Sequence, residues 1–154
     1  MNHSSEEHFL ISGPAGELEV LATRSPEARA VAVICHPHPL HGGTMHNKVV
    51  STLMRAARDQ GANTVRFNFR GVGQSAGQHA DGSGETEDCR AVVDWAAREF
   101  PGLPLWLMGF SFGGYVAAAT ARSLNIWPEA VVLVAPSGSG CPLPTCCRCR
   151  GRST

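Results

Sequence analysis

Two short segments near the start of the chain alternate apolar and polar residues. They cover residues 9–11 and 18–22 and are separated by Pro14 and two glycines. Alternation with a period of two is typical of a half-buried strand, and proline and glycine together mark a turn. The pattern therefore predicts a β-hairpin at the start of the chain.

Further along, short apolar segments alternate with longer segments that carry apolar residues at helical spacing. The strand-like segments are residues 30–35, 64–69, 105–108 and 130–134. The helix-like segments are residues 49–57, 85–100 and 115–124. Gly61 stands where a helix-ending glycine belongs, and the unbroken apolar character of the first strand favours burial on both faces. This alternation predicts an α/β fold with a mostly parallel sheet and helices on both faces.

Composition and charge narrow the classes of function. The 154 residues fit one domain with a hydrophobic core, and 43% of them are hydrophobic. Thirteen basic residues balance thirteen acidic ones, so neither nucleic acid nor an anionic membrane is favoured as a partner. No apolar run is long enough to cross a bilayer, and the polar, acidic first residues lack the features of a secretory leader. We therefore expect a soluble cytoplasmic protein.

One motif carries candidate chemistry, the pentapeptide Gly109-Phe110-Ser111-Phe112-Gly113. It lies between a predicted strand and a predicted helix, which is the setting of a nucleophile elbow. A turn this tight holds the serine in a strained conformation and needs small residues two before and two after it. We predict Ser111 as a nucleophile and the backbone amide of Phe112 as a donor to an oxyanion. The alternative is a strand-to-helix turn without chemistry.

A loop rich in histidine, proline and glycine follows the first buried strand, at residues 36–47. An oxyanion hole takes a second amide from a loop in this position. Pro37 and Pro39 have no N–H, so we predict the amide of His38 as the second donor. The three histidines at positions 36, 38 and 41 also suggest a metal site. No acidic residue accompanies them and their spacing matches no common zinc pattern, so we predict no metal.

A glycine-rich segment follows the next strand, at residues 71–77. Its glycine spacing departs from the dinucleotide-binding fingerprint and no helix is predicted to begin there, so nucleotide binding is not expected. The segment is predicted to be a flexible loop bordering the pocket. Ser75 is a weaker rival nucleophile, because nothing in the sequence strains or positions it.

Three segments together resemble the α/β-hydrolase superfamily, and within it the small bacterial members that lack a lid. The segments are HPHP, GGTM and NKVV within residues 36–50, RFNFRGVGxS at residues 66–75, and GFSFGG at residues 109–114. The resemblance covers about residues 8–136. It implies a sheet whose first strands are antiparallel and the rest parallel, and acyl transfer, typically on carboxylic esters. It implies no metal and no organic cofactor.

The end of the chain departs from that superfamily. There the acid and then the histidine of the triad follow the nucleophile along the chain. Residues 137–154 contain no Asp, Glu or His, and His79 is the last histidine in the sequence. The acid and base of a triad are therefore predicted to be absent from this chain. His36, His38 or His41 as a substitute base is the less favoured alternative.

The six cysteines divide into two groups. Cys35 and Cys89 lie in apolar patterns and are predicted to be buried thiols. The others lie in the last 14 residues, at Cys141, Cys146, Cys147 and Cys149. A zinc site or a disulfide knot would explain that cluster, but its spacing lacks paired two-residue gaps and disulfides are rare in the cytosol. We favour a third explanation, in which the last residues come from a shifted reading frame of GC-rich DNA. Residues 1–136 are then the N-terminal portion of one α/β-hydrolase domain, and residues 137–154 are an aberrant tail.

These observations lead to one functional expectation and one rival. The chain is expected to be a serine hydrolase acting on small acyl esters through an acyl-enzyme, impaired by the missing acid and histidine. Thioester, lactone and peptide bonds remain open as alternatives to the ester. The rival is a non-catalytic hydrolase fold used for binding or as a scaffold. With the last strands of the fold missing, the edge at residues 130–134 is expected to be exposed and to promote self-association.

Overall fold

The computed structural model describes residues 6–135, so the predictions made for residues 137–154 lie outside the described residues. The described chain forms six strands, β1 Glu7–Gly13, β2 Gly16–Ala22, β3 Ala30–Cys35, β4 Ala62–Phe67, β5 Leu105–Phe110 and β6 Ala130–Val134. It forms three α-helices, α1 Lys48–Asp59, α2 Ser83–Glu99 and α3 Phe112–Ser123. A single 3-10 turn, Pro39–His41, lies in the histidine-rich loop.

The strands form one mixed sheet in the order β1-β2-β4-β3-β5-β6. The β1–β2 and β2–β4 pairs are antiparallel, whereas the β4–β3, β3–β5 and β5–β6 pairs are parallel. The predicted hairpin and the predicted mostly parallel sheet are both confirmed. Because β3 lies between β4 and β5, the carboxyl ends of three parallel strands open at the same edge of the sheet, which is where α/β folds bind ligands.

Two apolar clusters cover the two faces of the sheet. Val31, Val33 and Cys35 of β3 pack with α2 and α3 on one face. The alternate β3 residues Ala32 and Ile34 pack with α1 on the other. All six residues of β3 are buried, which confirms the strand predicted to be covered on both faces. The arrangement explains why this strand has no polar positions.

Some elements begin or end at residues other than those predicted. Helix α3 begins at Phe112, three residues before the predicted Tyr115, and β5 continues through Phe110. The glycines of this stretch favour a loop by propensity, but here they permit a direct strand-to-helix turn. Helix α2 begins at Ser83 rather than Glu85, because the Glu85 carboxylate accepts the N–H of Gly82 and so stabilises an earlier first turn.

Strand β6 is an edge strand of the described sheet, and each of its five residues is half-buried. Self-association through this edge stays a prediction. Across residues 6–135, no helix combines the length and apolar character needed to cross a membrane.

Candidate active site

Ser111 occupies the turn between β5 and α3 with φ 58° and ψ −119°. Only two other non-glycine residues between positions 6 and 135 have a positive φ, Asp81 and Ala135. Such a conformation costs roughly 1–3 kcal/mol and persists only where the surroundings enforce it. The Ser111 N–H donates to the carbonyl of Val134 at 2.9 Å, and the Ser111 carbonyl accepts the N–H of Gly114 at 2.9 Å. Strand β6 and helix α3 thus fix the serine from both sides.

The two glycines of the motif are required by close approach of backbones. A Cβ on Gly109 would overlap the carbonyl of Gly113 and lie 2.7 Å from the Gly114 nitrogen. A Cβ on Gly113 would overlap the carbonyl of Cys35 and lie 2.5 Å from the His36 carbonyl oxygen. Both distances are shorter than real Cβ contacts. The spacing of the motif therefore follows from packing α3 directly onto the ends of β5 and β3.

The two predicted oxyanion donors lie on segments that touch. Phe112 is the first residue of α3, and the His38 ring lies 4.7 Å from the Phe112 ring, centroid to centroid. The His38 carbonyl accepts the N–H groups of His41 and Gly43, each at 3.0 Å, which closes the loop on itself. Across residues 6–135, neither the His38 amide nor the Phe112 amide has a hydrogen-bond partner. Their role as donors stays a prediction.

His36 is a structural residue, although the sequence admits it as a substitute base. Its side chain is fully buried, and its Nε2 accepts the N–H of Phe69 at 3.1 Å. Its Nδ1 lies 2.6 Å from the Pro37 carbonyl and, as Nε2 is the acceptor, donates to it. Burial lowers the pKa of His36 to about 4, against a smaller opposing effect of the Pro37 hydrogen bond. A neutral ring with both nitrogens engaged has no lone pair for a serine proton.

Replacing His36 with glutamine is expected to flatten the pH dependence of stability between pH 6.5 and 4. The unfolded histidine takes up its proton first, so the wild type loses stability as pH falls through this range and keeps it above 6.5. Across this pH range the wild type loses about 3 kcal/mol more of its free energy of unfolding than H36Q does. Urea denaturation at pH 7 and pH 4.5 measures it, with H46Q as the matched control because His46 is exposed. Parallel pH profiles for wild type and H36Q would contradict the expectation.

Three imidazoles gather beside Phe112. The His38 ring stacks on the His41 ring at 4.7 Å and lies 4.8 Å from the His79 ring. Desolvation of His38, followed by the charges of His79 and His41, lowers the pKa of His38, whereas the charges of Glu85 and Asp81 oppose the shift. In the described part of the chain no group of three or more His, Cys, Asp or Glu residues is arranged to hold a metal ion.

His79 belongs to this cluster, although sequence analysis assigned it no role. Its Nδ1 lies 2.9 Å from Oε2 of Glu85, and its Nε2 lies 3.3 Å from Oδ1 of Asp81. Glu85 is fully buried and also accepts the N–H groups of Ala80 and Gly82, each at 2.9 Å. Burial raises the pKa of Glu85, but these two N–H groups and the charge of His79 outweigh it and lower the pKa below its ordinary value. The sequence offers one signal for the His79–Glu85 pair, the acidic Glu85 near the predicted start of α2.

Comparisons with known proteins identify the family of the chain. A model of a hydrolase family described as serine aminopeptidase, S33, matches residues 26–144, which is more than half of the chain. The chain belongs to this α/β-hydrolase family. An α/β serine hydrolase homologue from Coxiella burnetii is 48% identical with a TM-score of 0.81, and the match covers 88% of this chain and 65% of that one.

Two further relatives extend the likeness. A lidless α/β serine hydrolase from Xanthomonas campestris is 41% identical with a TM-score of 0.79, over 88% of this chain and 63% of that one. A monoacylglycerol lipase from Mycolicibacterium smegmatis is 31% identical over 118 residues, which are 75% of this chain and 40% of the lipase. The chain thus spans less than two thirds of the length of these α/β-hydrolases.

Ser75 of this α/β-hydrolase is firmly positioned, so the prediction that nothing positions it is wrong. Its side chain is buried, its hydroxyl donates to the Asn68 carbonyl at 2.7 Å, and it accepts the N–H of Glu19 at 2.9 Å. The predicted flexible loop is held in the same way, because the N–H of Gly71 donates to the carbonyl of Ala76 at 3.0 Å. The Ser75 hydroxyl is buried and already both donates and accepts a hydrogen bond, so it stabilises the fold. Ser75 is therefore no longer a rival nucleophile.

The side chain of Asn68 joins the two loops near the site to the first hairpin. Its Oδ1 accepts the N–H of Met45 at 2.9 Å, and its Nδ2 donates to Oε1 of Glu19 at 2.8 Å. The same Glu19 oxygen accepts the N–H of Gln74 at 2.9 Å. The histidine-rich loop and the glycine-rich loop are therefore held by one buried network.

An ion pair fastens the glycine-rich loop to α2. The Arg70 guanidinium contacts both carboxylate oxygens of Asp88, with Nη2 to Oδ1 at 2.9 Å and Nε to Oδ2 at 3.0 Å. Asp88 is fully buried and also accepts the Arg70 backbone N–H at 3.0 Å. The hydrogen bonds to Asp88 raise the pKa of Arg70, against the opposing effect of burial. This pair holds the segment that carries His79 against the helix.

Proposed function

We propose that Ser111 is the nucleophile of an esterase-type reaction on small acyl esters. The observation that carries the proposal is the strained backbone of Ser111, held at the carboxyl end of β5 by two glycines that cannot carry a side chain. Backbone strain of this kind clusters at active sites. A relative named as a monoacylglycerol lipase supports an ester as the bond that is hydrolysed, whereas the family description, serine aminopeptidase, keeps a peptide bond open as the alternative.

The proposed reaction follows from the groups around Ser111. The Ser111 oxygen attacks the ester carbonyl carbon while its proton passes to a base. The resulting oxyanion accepts hydrogen bonds from the amides of Phe112 and His38. Collapse of the intermediate transfers the proton from the base to the departing alcohol and leaves an acyl-serine. Water then attacks the acyl-serine and gives a proton to the base, the same two amides stabilise the second oxyanion, and the proton returns to the Ser111 oxygen as the carboxylic acid leaves.

The base and the acid are not assigned to any described residue. His36 is neutral with both nitrogens engaged, and no histidine follows Ser111 in the sequence. A serine without a base keeps only the assistance of its oxyanion hole, roughly 10³–10⁴-fold over water. We therefore propose that the 154-residue chain by itself is an impaired enzyme whose Ser111 still reacts slowly.

A fluorophosphonate probe tests the nucleophile directly. We expect slow covalent labelling of the folded chain, mapped by peptide mass spectrometry to Ser111 and abolished in S111A. The matched control is S12A, which removes an exposed serine hydroxyl on β1 and leaves the labelling unchanged. Labelling that persists in S111A, or that maps to another serine, would refute the assignment.

The second candidate is a hydrolase fold used for binding or as a scaffold. The observation that favours it is the neutral, fully buried ring of His36, whose two nitrogens are both engaged by the backbone and cannot serve Ser111 as a base. A chain that melts cooperatively but gives no label at any serine would support this candidate over the enzyme.

A further inference from the structure

His79 contacts both residues whose amides are the candidate oxyanion donors. Its ring lies 4.8 Å from the ring of His38 and 5.8 Å from the ring of Phe112, centroid to centroid. The His38 and Phe112 rings also contact each other at 4.7 Å. The three rings therefore form one packed group, although they come from three separate segments of the chain.

The segment that carries His79 is held by Glu85 and by packing against α3. The ring nitrogens of His79 are buried and, among the described residues, neither meets the geometry of a hydrogen bond, although Nδ1 lies 2.9 Å from the fully buried carboxylate of Glu85. The partner on the other side is the side chain of Asp81, which is 97% exposed and so provides a weaker anchor. The adjacent backbone packs onto α3, since a Cβ on Gly82 would lie 3.1 Å from the Tyr115 ring.

An oxyanion hole accelerates a reaction only when its donors are held in place before the charge develops. Here the two amides belong to different elements, the loop after β3 and the first turn of α3. The prolines stiffen the loop, but they do not set its distance from α3. The close approach of Gly113 to the end of β3 brings α3 near the loop, and a side chain that packs on both residues helps to hold their separation. A misplacement of about 1 Å in such a site can cost on the order of 10²-fold in rate.

We propose that His79, anchored by Glu85, is a positioning residue that holds the amides of His38 and Phe112 at a fixed separation. The inference rests on the proposed function, because it assigns His79 to the oxyanion hole of that reaction. The contribution of His79 comes from the packing of its ring. Glu85 fixes the loop that carries the ring, because its carboxylate accepts the N–H groups of Ala80 and Gly82.

Three variants of His79 and one control separate this role from general stability. H79A removes the ring, H79Q removes the ring but retains a polar group near Glu85, and H79F retains a ring without the nitrogens. H46A is the control, because His46 is an exposed histidine in the neighbouring loop. Two quantities are measured for each folded variant: the rate of fluorophosphonate labelling at Ser111, and deuterium exchange of the peptides that contain His38 and Phe112.

We expect H79A and H79Q to label about tenfold more slowly than wild type and to exchange faster in both peptides. H79F should stay within about threefold of wild type because it restores the ring contacts, and H46A should match wild type. Wild-type labelling and exchange in H79A and H79Q would overturn the proposal, and so would a folded H79F that is as slow as H79Q.

The outcome for His79 is distinguishable from that for Ser111. A wild-type chain that is folded but unlabelled sinks the proposed function. In that case the deuterium exchange by itself decides whether His79 is a positioning residue. Faster exchange of the His38 and Phe112 peptides in H79A and H79Q, but not in H79F, supports the role, and unchanged exchange overturns it.

Discussion

Replacing Gly113 with alanine is expected to destabilise the fold by about 3 kcal/mol or more, at the upper end of overpacking effects. The added Cβ would meet the carbonyl groups of Cys35 and His36, where β3 ends. These are backbone atoms that belong to or directly follow a fully buried strand, so they cannot move aside as a flexible side chain would. Relief requires α3 to shift away from the sheet, which would also displace Ser111.

Urea denaturation of G113A and of G102A measures this effect against a matched control. A Cβ on Gly102 meets no atom within 4 Å, but its φ of +83° makes an alanine there cost about 1 kcal/mol. Because Gly113 has no positive φ, the loss in G113A beyond that in G102A is a lower bound on the cost of the steric overlap at the elbow. Equal destabilisation of G113A and G102A would show that the close approach of the backbones does not govern stability.

The second large effect is expected for Asp88. Changing it to asparagine removes the charge that pairs with Arg70 while keeping the size of the side chain. The carboxylate is fully buried and the Arg70 side chain is only 12% exposed, so the remaining guanidinium charge is poorly solvated. Breaking a buried pair on one side typically costs about 3–5 kcal/mol. We expect D88N to lose stability in this range.

The neighbouring Glu87 provides a control on the same helix. Its carboxylate lies 3.9 Å from the same Arg70 nitrogen, but its side chain is 70% exposed. Exposed pairs contribute about 0–1 kcal/mol, so E87Q should change the free energy of unfolding by less than 1 kcal/mol. If D88N and E87Q prove equally stable in urea denaturation, the Arg70–Asp88 pair does not fasten the loop to α2.

The order and type of the elements could be predicted from the sequence because each depends on local patterns. The apolar run of β3 and the positive φ of Gly61 at the end of α1 are properties that one segment carries by itself. The boundaries near Ser111 could not be predicted in the same way. Propensity assigns glycines to loops, whereas Gly113 lies inside α3 because β3 approaches too closely for any other residue.

The candidate site was predicted only where a motif marks it. Ser111, Phe112 and His38 lie together as the motifs suggested, but the buried state of His36 depends on Phe69, which is 33 residues away. The position of His79 likewise depends on the loop that Arg70 and Asp88 hold in place. Contacts between distant residues leave no periodic signal in a single sequence, so neither histidine could be assigned from it.

The network of Glu19 and Asn68 has a consequence for anyone who exchanges loops between relatives to change selectivity. The histidine-rich and glycine-rich loops both hydrogen-bond to these two side chains, and Glu19 lies on β2, outside both loops. Grafting either loop alone would leave a buried carboxylate or carboxamide with fewer partners than it needs. The two loops, β2 and Asn68 therefore form one unit that has to be transplanted together.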